Sequence, residues 1–179
     1  MNSNCDELLN VLIYYEMFQY PLTKEELFER SKLSMEEVER GVKELLAAQK
    51  IFQFGAFYSL KNNPSIEENR IKRNQLAQKA IPKARFIAKI VANFPFIRGL
   101  FLSGSISKDC MDENSDIDFF IVAAPNRLWI ARLACILFKK IFLLNSTKFF
   151  CFNYIIDSEH LKFEDHSLFI ATEISTLIP

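Results

Sequence analysis

The stretch that decides the fold of the second half of this chain is residues 97–122, IRGLFLSGSISKDCMDENSDIDFFIV. Its first part, 97–102, is a short apolar run that predicts a β-strand, and Gly104-Ser105 predicts a turn directly after it. Residues 115–122 predict a second strand, polar at its start and apolar beyond. The pattern therefore predicts an α+β core built around strand, turn and strand.

Two carboxylates stand at the start of the second strand. Asp116 and Asp118 are two residues apart, so they are expected to project from one face of it. Like charges on an otherwise apolar strand are costly unless they meet water or a cation. Mg²⁺ prefers oxygen ligands and often takes one or two carboxylates plus substrate phosphates. A solvated strand end with an Asx turn is the alternative.

The turn before these carboxylates suits a phosphate ligand. Gly104 has no Cβ, so the backbone can approach a ligand closely, and Ser105 offers a hydroxyl. An apolar strand, Gly-Ser, about ten residues and Asp-apolar-Asp together resemble the signature of the DNA polymerase β-like nucleotidyltransferase superfamily. The resemblance covers residues 96–157. Lys108 fits a basic position that follows the Gly-Ser in many members, whereas Asp109 stands where many have glycine.

The resemblance implies transfer of a nucleotidyl group from an NTP to an acceptor, which could be a small molecule, a protein or RNA. It implies Mg²⁺, or Mn²⁺, held by Asp116 and Asp118 as catalytic and metal-binding residues. Gly104 and Ser105 would position the triphosphate, and Lys108 would be an auxiliary phosphate contact.

A third carboxylate on a neighbouring strand normally completes this kind of site. The next predicted strand, 148–156, follows a helix predicted over 125–144, and its central polar residue is Asn153. Asp157 shares its strand parity and is the catalytic carboxylate that we expect, while Glu159 is a further candidate. If Asn153 takes the position instead, metal affinity and activation of the acceptor both weaken.

Residues 1–61 predict a separate helical domain. Apolar periodicity predicts helices over 6–18, 23–30 and 34–49, the last two opened by capping-box pairs, Thr23 with Glu26 and Ser34 with Glu37. Two short apolar runs around Gly55 then predict a β-hairpin over 51–60. Three helices followed by a two-stranded wing resemble the winged helix-turn-helix arrangement.

The charge of this domain disfavours duplex DNA as a partner. The third helix exposes four glutamates against two basic residues, and 51–60 holds no Lys or Arg. Such a surface repels phosphates rather than neutralising them. We therefore expect a role in protein contact or packing.

The middle segment, 62–95, is basic and predicts a helical linker. It carries most of the 9 Lys and Arg residues of 61–98, against 2 Asp and Glu. Pro82 is expected to divide it into two helices. An anion-facing helix and a solvated connecting helix both fit this charge pattern.

The whole chain has 179 residues, half of them hydrophobic and a quarter charged, with a net charge of zero. No apolar run is long and uncharged enough for a membrane span, so we expect a cytoplasmic protein without a membrane partner. The predicted nucleotidyltransferase core, 96–179, ends in a helix predicted over 166–178. The apolar side of this helix needs a partner, so we expect the chain to be part of a longer protein. A catalytically degenerate nucleotide-binding or protein-interaction module is the alternative to a transferase.

Overall fold

The computed structural model describes residues 3–162 and 168–179, and only the backbone at 168 and 169. The chain forms two compact units, Met1–Lys72 and Arg73–Pro179. Its described residues hold seven α-helices and two three-stranded sheets, so the fold class is α+β, as predicted.

The first unit contains three helices and a small antiparallel sheet. Its elements, in chain order, are α1 (Ser3–Glu16), β1 (Leu22–Thr23), α2 (Lys24–Arg30), α3 (Met35–Ala47), β2 (Phe52–Phe54) and β3 (Phe57–Ser59). The sheet order is β1-β3-β2. The predicted helices and hairpin are confirmed, whereas β1, only 2 residues long, was not predicted.

Both predicted capping boxes are present. The Thr23 hydroxyl accepts a hydrogen bond from the Glu26 N–H, and the Glu26 carboxylate accepts one from the Thr23 N–H. Ser34 and Glu37 repeat the same exchange at the start of α3. These bonds satisfy donors that a helix N-terminus otherwise leaves free, which is why α2 and α3 begin where the sequence indicates.

The second unit contains a small mixed sheet flanked by helices. Helix α4 (Ile66–Val91) begins in the first unit and continues into the second. It leads into β4 (Ile97–Ser103), the short α5 (Gly104–Ser107), β5 (Asp118–Ala123), α6 (Leu128–Phe142), β6 (Cys151–Asp157) and α7 (Leu168–Ser175). Strand β5 is central, antiparallel to β4 and parallel to β6. Of the helix predicted over 166–178, residues 166 and 167 lie outside the described residues.

Helix α4 is continuous, so the predicted division at Pro82 is wrong. Proline in a helix interior costs roughly 3 kcal/mol, but packing here opposes a break. Ala77, Ala84 and Val91, on both sides of the proline, are buried in the core of the second unit. Most of 62–95 is thus a core helix of that unit, where we expected a linker.

The core of the second unit lies between the sheet and helices α4 and α6. Phe119 and Ile121 of β5 point into it, beside Cys135 and Phe138 of α6. This packing fixes the sheet, and with it the positions of the polar residues at the strand ends. Across the part of the chain that the structure describes, no helix combines the length and the apolar character that crossing a bilayer requires.

Candidate functional site

The turn after β4 brings the backbone of Gly104 against Asp118. Ser103, the last residue of β4, pairs with Asp118, the first residue of β5. Gly104 has φ +68°, and a Cβ at this position would lie 2.5 Å from Asp118 Oδ2. Any other residue would be strained and would collide with the carboxylate, so the close approach depends on glycine.

The carboxyl group of Asp118 has a pKa above its ordinary value of 3.8. Burial is the main cause, and the negative charges of Asp116 and Glu173 act in the same direction, while hydrogen bonds from Cys151 and Asn153 oppose it. Asp116 itself lies just before β5, half-buried, outside the strand in which the sequence placed it. The structure therefore brings Gly104, Asp116 and Asp118 together.

Asn153 completes this cluster as its third polar member. Its Nδ2 donates a hydrogen bond of 2.9 Å to Asp118 Oδ1, and its Oδ1 accepts one of 3.3 Å from the thiol of Cys151. The pairing of β5 with β6 shifts at this point, since Phe119 pairs with Phe152 and Phe120 with Tyr154. Asn153 is thus the extra residue of a bulge, a feature that often redirects a side chain next to a functional site.

Asp157 lies at the opposite end of β6, so the expectation that it reaches the carboxylate pair is corrected. It pairs with Ala123, the last residue of β5, about 16 Å along the strand from Asp118 at roughly 3.3 Å per residue. Asp157 Oδ2 accepts from the Asn126 N–H at 2.7 Å and Oδ1 from the Glu159 N–H at 2.9 Å. These two bonds hold the pKa of Asp157 below its usual value. Glu159 sits at this same distant end.

Lys108 is buried rather than open to a phosphate. Its side chain is 2% exposed, and its Nζ lies 2.7 Å from Glu173 Oε1 and 3.3 Å from the carbonyl oxygen of Gly104. The expected direct contact with phosphate is therefore replaced by a structural one. Lys108 ties helix α7 to the Gly104-Ser105 turn, in which Ser105 is half-buried.

Asp109 defines the geometry of the turn that follows Lys108. It has φ +57°, in the left-handed region that aspartate tolerates better than most residues. Its carbonyl accepts from Asn74 Nδ2 at 3.2 Å and its carboxylate from Gln78 Nε2 at 2.8 Å. Two side chains of α4 therefore hold the loop between β4 and β5 in place.

Sequence reasoning missed two residues of the site. Glu173 is distant in the chain, and only its pairing with the buried Lys108 brings it close to Asp118. Cys151 lies beside Asp118, and burial together with the Asp118 charge raises the pKa of its thiol to about 11. Cys151 pairs with Asp118 in the parallel ladder, and only the register of the two strands reveals that pairing.

The cluster offers a hard cation two carboxylates, because the nearby Glu173 is paired with Lys108. Within 3–162 and 168–179, no group of three or more His, Cys, Asp and Glu side chains is arranged to hold a metal ion. Asp116 and Asp118 still fit Mg²⁺ or Mn²⁺, because Mg²⁺ is commonly bound by one or two carboxylates with substrate phosphates supplying further oxygens. The arrangement suits a cation that arrives with a phosphate ligand better than a cation bound alone.

Comparison with known proteins identifies no relative of this chain. No family model, no curated protein and no solved structure matches this chain.

Proposed function

We propose that the second unit binds a nucleoside triphosphate together with Mg²⁺ or Mn²⁺, in the manner of a nucleotidyltransferase whose transfer activity is weak. Asp116 and Asp118 hold the cation, and Gly104 and Ser105 receive the phosphates. The observation that carries this proposal is the approach of the Gly104 backbone to the Asp118 carboxylate, which leaves no room for a Cβ. That approach supports the proposal because it brings a carboxylate, the kind of ligand that Mg²⁺ prefers, beside a glycine turn that a phosphate could approach closely.

The contact between Asn153 and Asp118 supports binding without efficient turnover. An amide carries no full negative charge and does not accept the proton of an attacking hydroxyl. Asn153 donates to Asp118 through Nδ2, so its amide oxygen is directed at Cys151. A bound divalent cation supplies stabilisation of phosphate charge. The chain's own residues then orient the triphosphate, but the side chain of β6 that meets Asp118 is an amide rather than a carboxylate.

The experiment is a thermal shift with Mg²⁺ and a non-hydrolysable NTP, each alone and together. We expect the pair to stabilise the protein more than either alone, because the cation and the phosphates share the two carboxylates. Ligand at 100 times its Kd stabilises by about 2.7 kcal/mol. Asp116→Asn with Asp118→Asn should lose this shift, whereas Asp112→Asn, an exposed control outside the cluster, should keep it. Absence of a joint shift in the wild type contradicts the proposal.

The first unit is proposed to be a winged-helix-like module with a protein-contact role. Its helix order and its β1-β3-β2 antiparallel sheet support that arrangement. The exposed glutamates of α3, Glu36 and Glu39 among them, oppose binding to duplex DNA. Fluorescence anisotropy across a salt series tests this. Submicromolar binding that weakens steeply with salt contradicts the protein-contact role.

A further inference from the structure

Helix α6 presents an apolar face to solvent on the side away from the core. Ala131, Cys135 and Phe138 form its buried side. The opposite side, called here the outer face, carries exposed apolar residues, most of them four apart: Trp129, Ile130, Leu133, Leu137, Ile141 and, just beyond the helix, Leu144. Residues four apart lie one above the other on a helix, so these side chains form one continuous ridge.

The outer face is too large to be ordinary scatter of apolar residues. Trp129 is 77% exposed and Leu144 is 89% exposed. Together the six side chains expose on the order of several hundred Å², comparable with the largest apolar patch of a typical monomer. A helix that is apolar on both sides is normally covered on both sides. We therefore expect another molecule or a membrane to cover the outer face.

The charges around α6 indicate what that surface is. Residues 119–156 contain 5 Lys and Arg and no Asp or Glu. Lys140 lies on the outer face itself, and Arg132 and Lys139 flank it at helical spacing. Asp157 meets the backbone just before α6, at Asn126, so the basic side chains border the middle and the C-terminal part of the helix. Apolar side chains bordered mainly by cations complement a surface that is both apolar and anionic.

We propose that the outer face of α6 lies on an anionic lipid bilayer. A helix parallel to a membrane inserts an apolar face of Trp, Leu and Ile to the level of the acyl chains, and basic side chains bind the phosphates. The long stem of Lys140 carries its ammonium from the apolar face to the headgroups. Such binding needs no membrane-spanning segment, so it revises the expectation of a protein without a membrane partner. The bilayer proposal does not rest on nucleotide binding.

A second copy of the chain suits this face less well. A two-fold dimer places the same patch of each subunit against itself. Lys140 would then enter an apolar interface facing the other subunit's basic residues, and no acidic side chain within 119–156 offsets them. Burying unpaired like charges opposes association. A bilayer supplies the missing negative charge.

Trp129 is the only tryptophan of the chain, so it reports contact directly. Its emission should shift to shorter wavelength when the full chain is mixed with vesicles of phosphatidylcholine and phosphatidylglycerol, and brominated acyl chains should quench it. Binding to pure phosphatidylcholine should be at least roughly tenfold weaker, since each basic side chain near an anionic surface contributes about fivefold. Raising the salt concentration should weaken binding to anionic vesicles.

Two variants separate the apolar and the charged contributions. Leu133→Gln with Leu137→Gln should abolish the shift, and because both positions are exposed and Gln favours helices, folding should be retained. Lys139→Glu with Lys140→Glu should reduce binding to anionic vesicles to the level seen with neutral ones. Met17→Gln, at an exposed apolar position just after α1, is the matched control and should bind like the wild type.

The following results would overturn the bilayer proposal. No emission shift at millimolar anionic lipid rejects it for a wild type shown to be folded by circular dichroism. A shift that grows with protein concentration without lipid assigns the outer face to a second copy. Equal binding to neutral and anionic vesicles, unchanged in the charge-reversal variant, rejects the role of the basic residues.

Discussion

The two ends of β6 show one residue type in opposite roles. Asp118, beside the start of β6, is crowded by Gly104 and faces an amide, and burial raises its pKa. Asp157, at the other end, accepts two backbone N–H bonds that lower its pKa. The backbone bonds stabilise the ionised form of Asp157, so that carboxylate contributes to the fold. The ionised form of Asp118 is stabilised poorly by its own protein, which is consistent with the cation-binding role that we propose for it.

The largest expected effect is on the rate of nucleotidyl transfer, and it tests which end of β6 limits that rate. Asn153→Asp introduces the third carboxylate next to Asp118, and we expect pyrophosphate release in the presence of Mg²⁺, NTP and a panel of acceptors to rise roughly 100-fold or more. Asn153→Ala is the control, since it removes the amide without adding charge, and should stay at wild-type level. Rapid release by the wild type, lost in Asp157→Asn, would reverse the comparison.

The next effect concerns the turn that crowds Asp118. Gly104→Ala places a Cβ where the Asp118 carboxylate lies and forces alanine into positive φ. We expect a loss of about 1–3 kcal/mol in the free energy of unfolding, measured by urea denaturation, together with loss of the joint metal and nucleotide shift. Ser105→Ala should leave the free energy of unfolding nearly unchanged. An unaltered ligand shift in Gly104→Ala would contradict the close approach.

The Asp157 end should matter for stability alone. Asp157→Asn removes the charge that accepts the Asn126 and Glu159 N–H groups, so we expect Tm to fall by a few degrees at neutral pH while the ligand shift is retained. Because the folded-state pKa is lowered, this stabilisation is present above the ordinary value of 3.8 and is lost as pH falls through the folded-state pKa. A Tm difference that persists at still lower pH argues against this role.

The smallest expected effect is a rise in Tm on replacing Asp118, opposite in sign to the fall expected for Asp157→Asn. The raised pKa of Asp118 means that its ionised form destabilises the fold, progressively as pH rises from 3.8 through the folded-state pKa. Without ligand, Asp118→Asn should therefore raise Tm by about 2 °C at neutral pH and have little effect below pH 3.8, followed by calorimetry. The same variant should lose ligand binding. A lower Tm at neutral pH would show that Asp118 stabilises the fold after all.

Local signals predicted the first unit well. The capping boxes of α2 and α3 are exchanges between residues three apart, so sequence spacing suffices to place both helix starts. Strand β1 was missed because its 2 residues form a strand only by pairing with β3. The break at Pro82 was wrong because burial of residues on both sides keeps α4 continuous.

The sequence by itself determined the order of the three strands in the second unit and placed Gly104, Ser105, Asp116 and Asp118 within one strand-turn-strand segment. These features depend on neighbours in the chain, and chain spacing reports them. Only the tertiary structure decided between Asn153 and Asp157, because a single extra residue in the β5-β6 ladder changes which side chain meets Asp118. It also brought Glu173 to Lys108 and left the outer face of α6 exposed. Such contacts arise from register and packing between distant segments, which local periodicity does not encode.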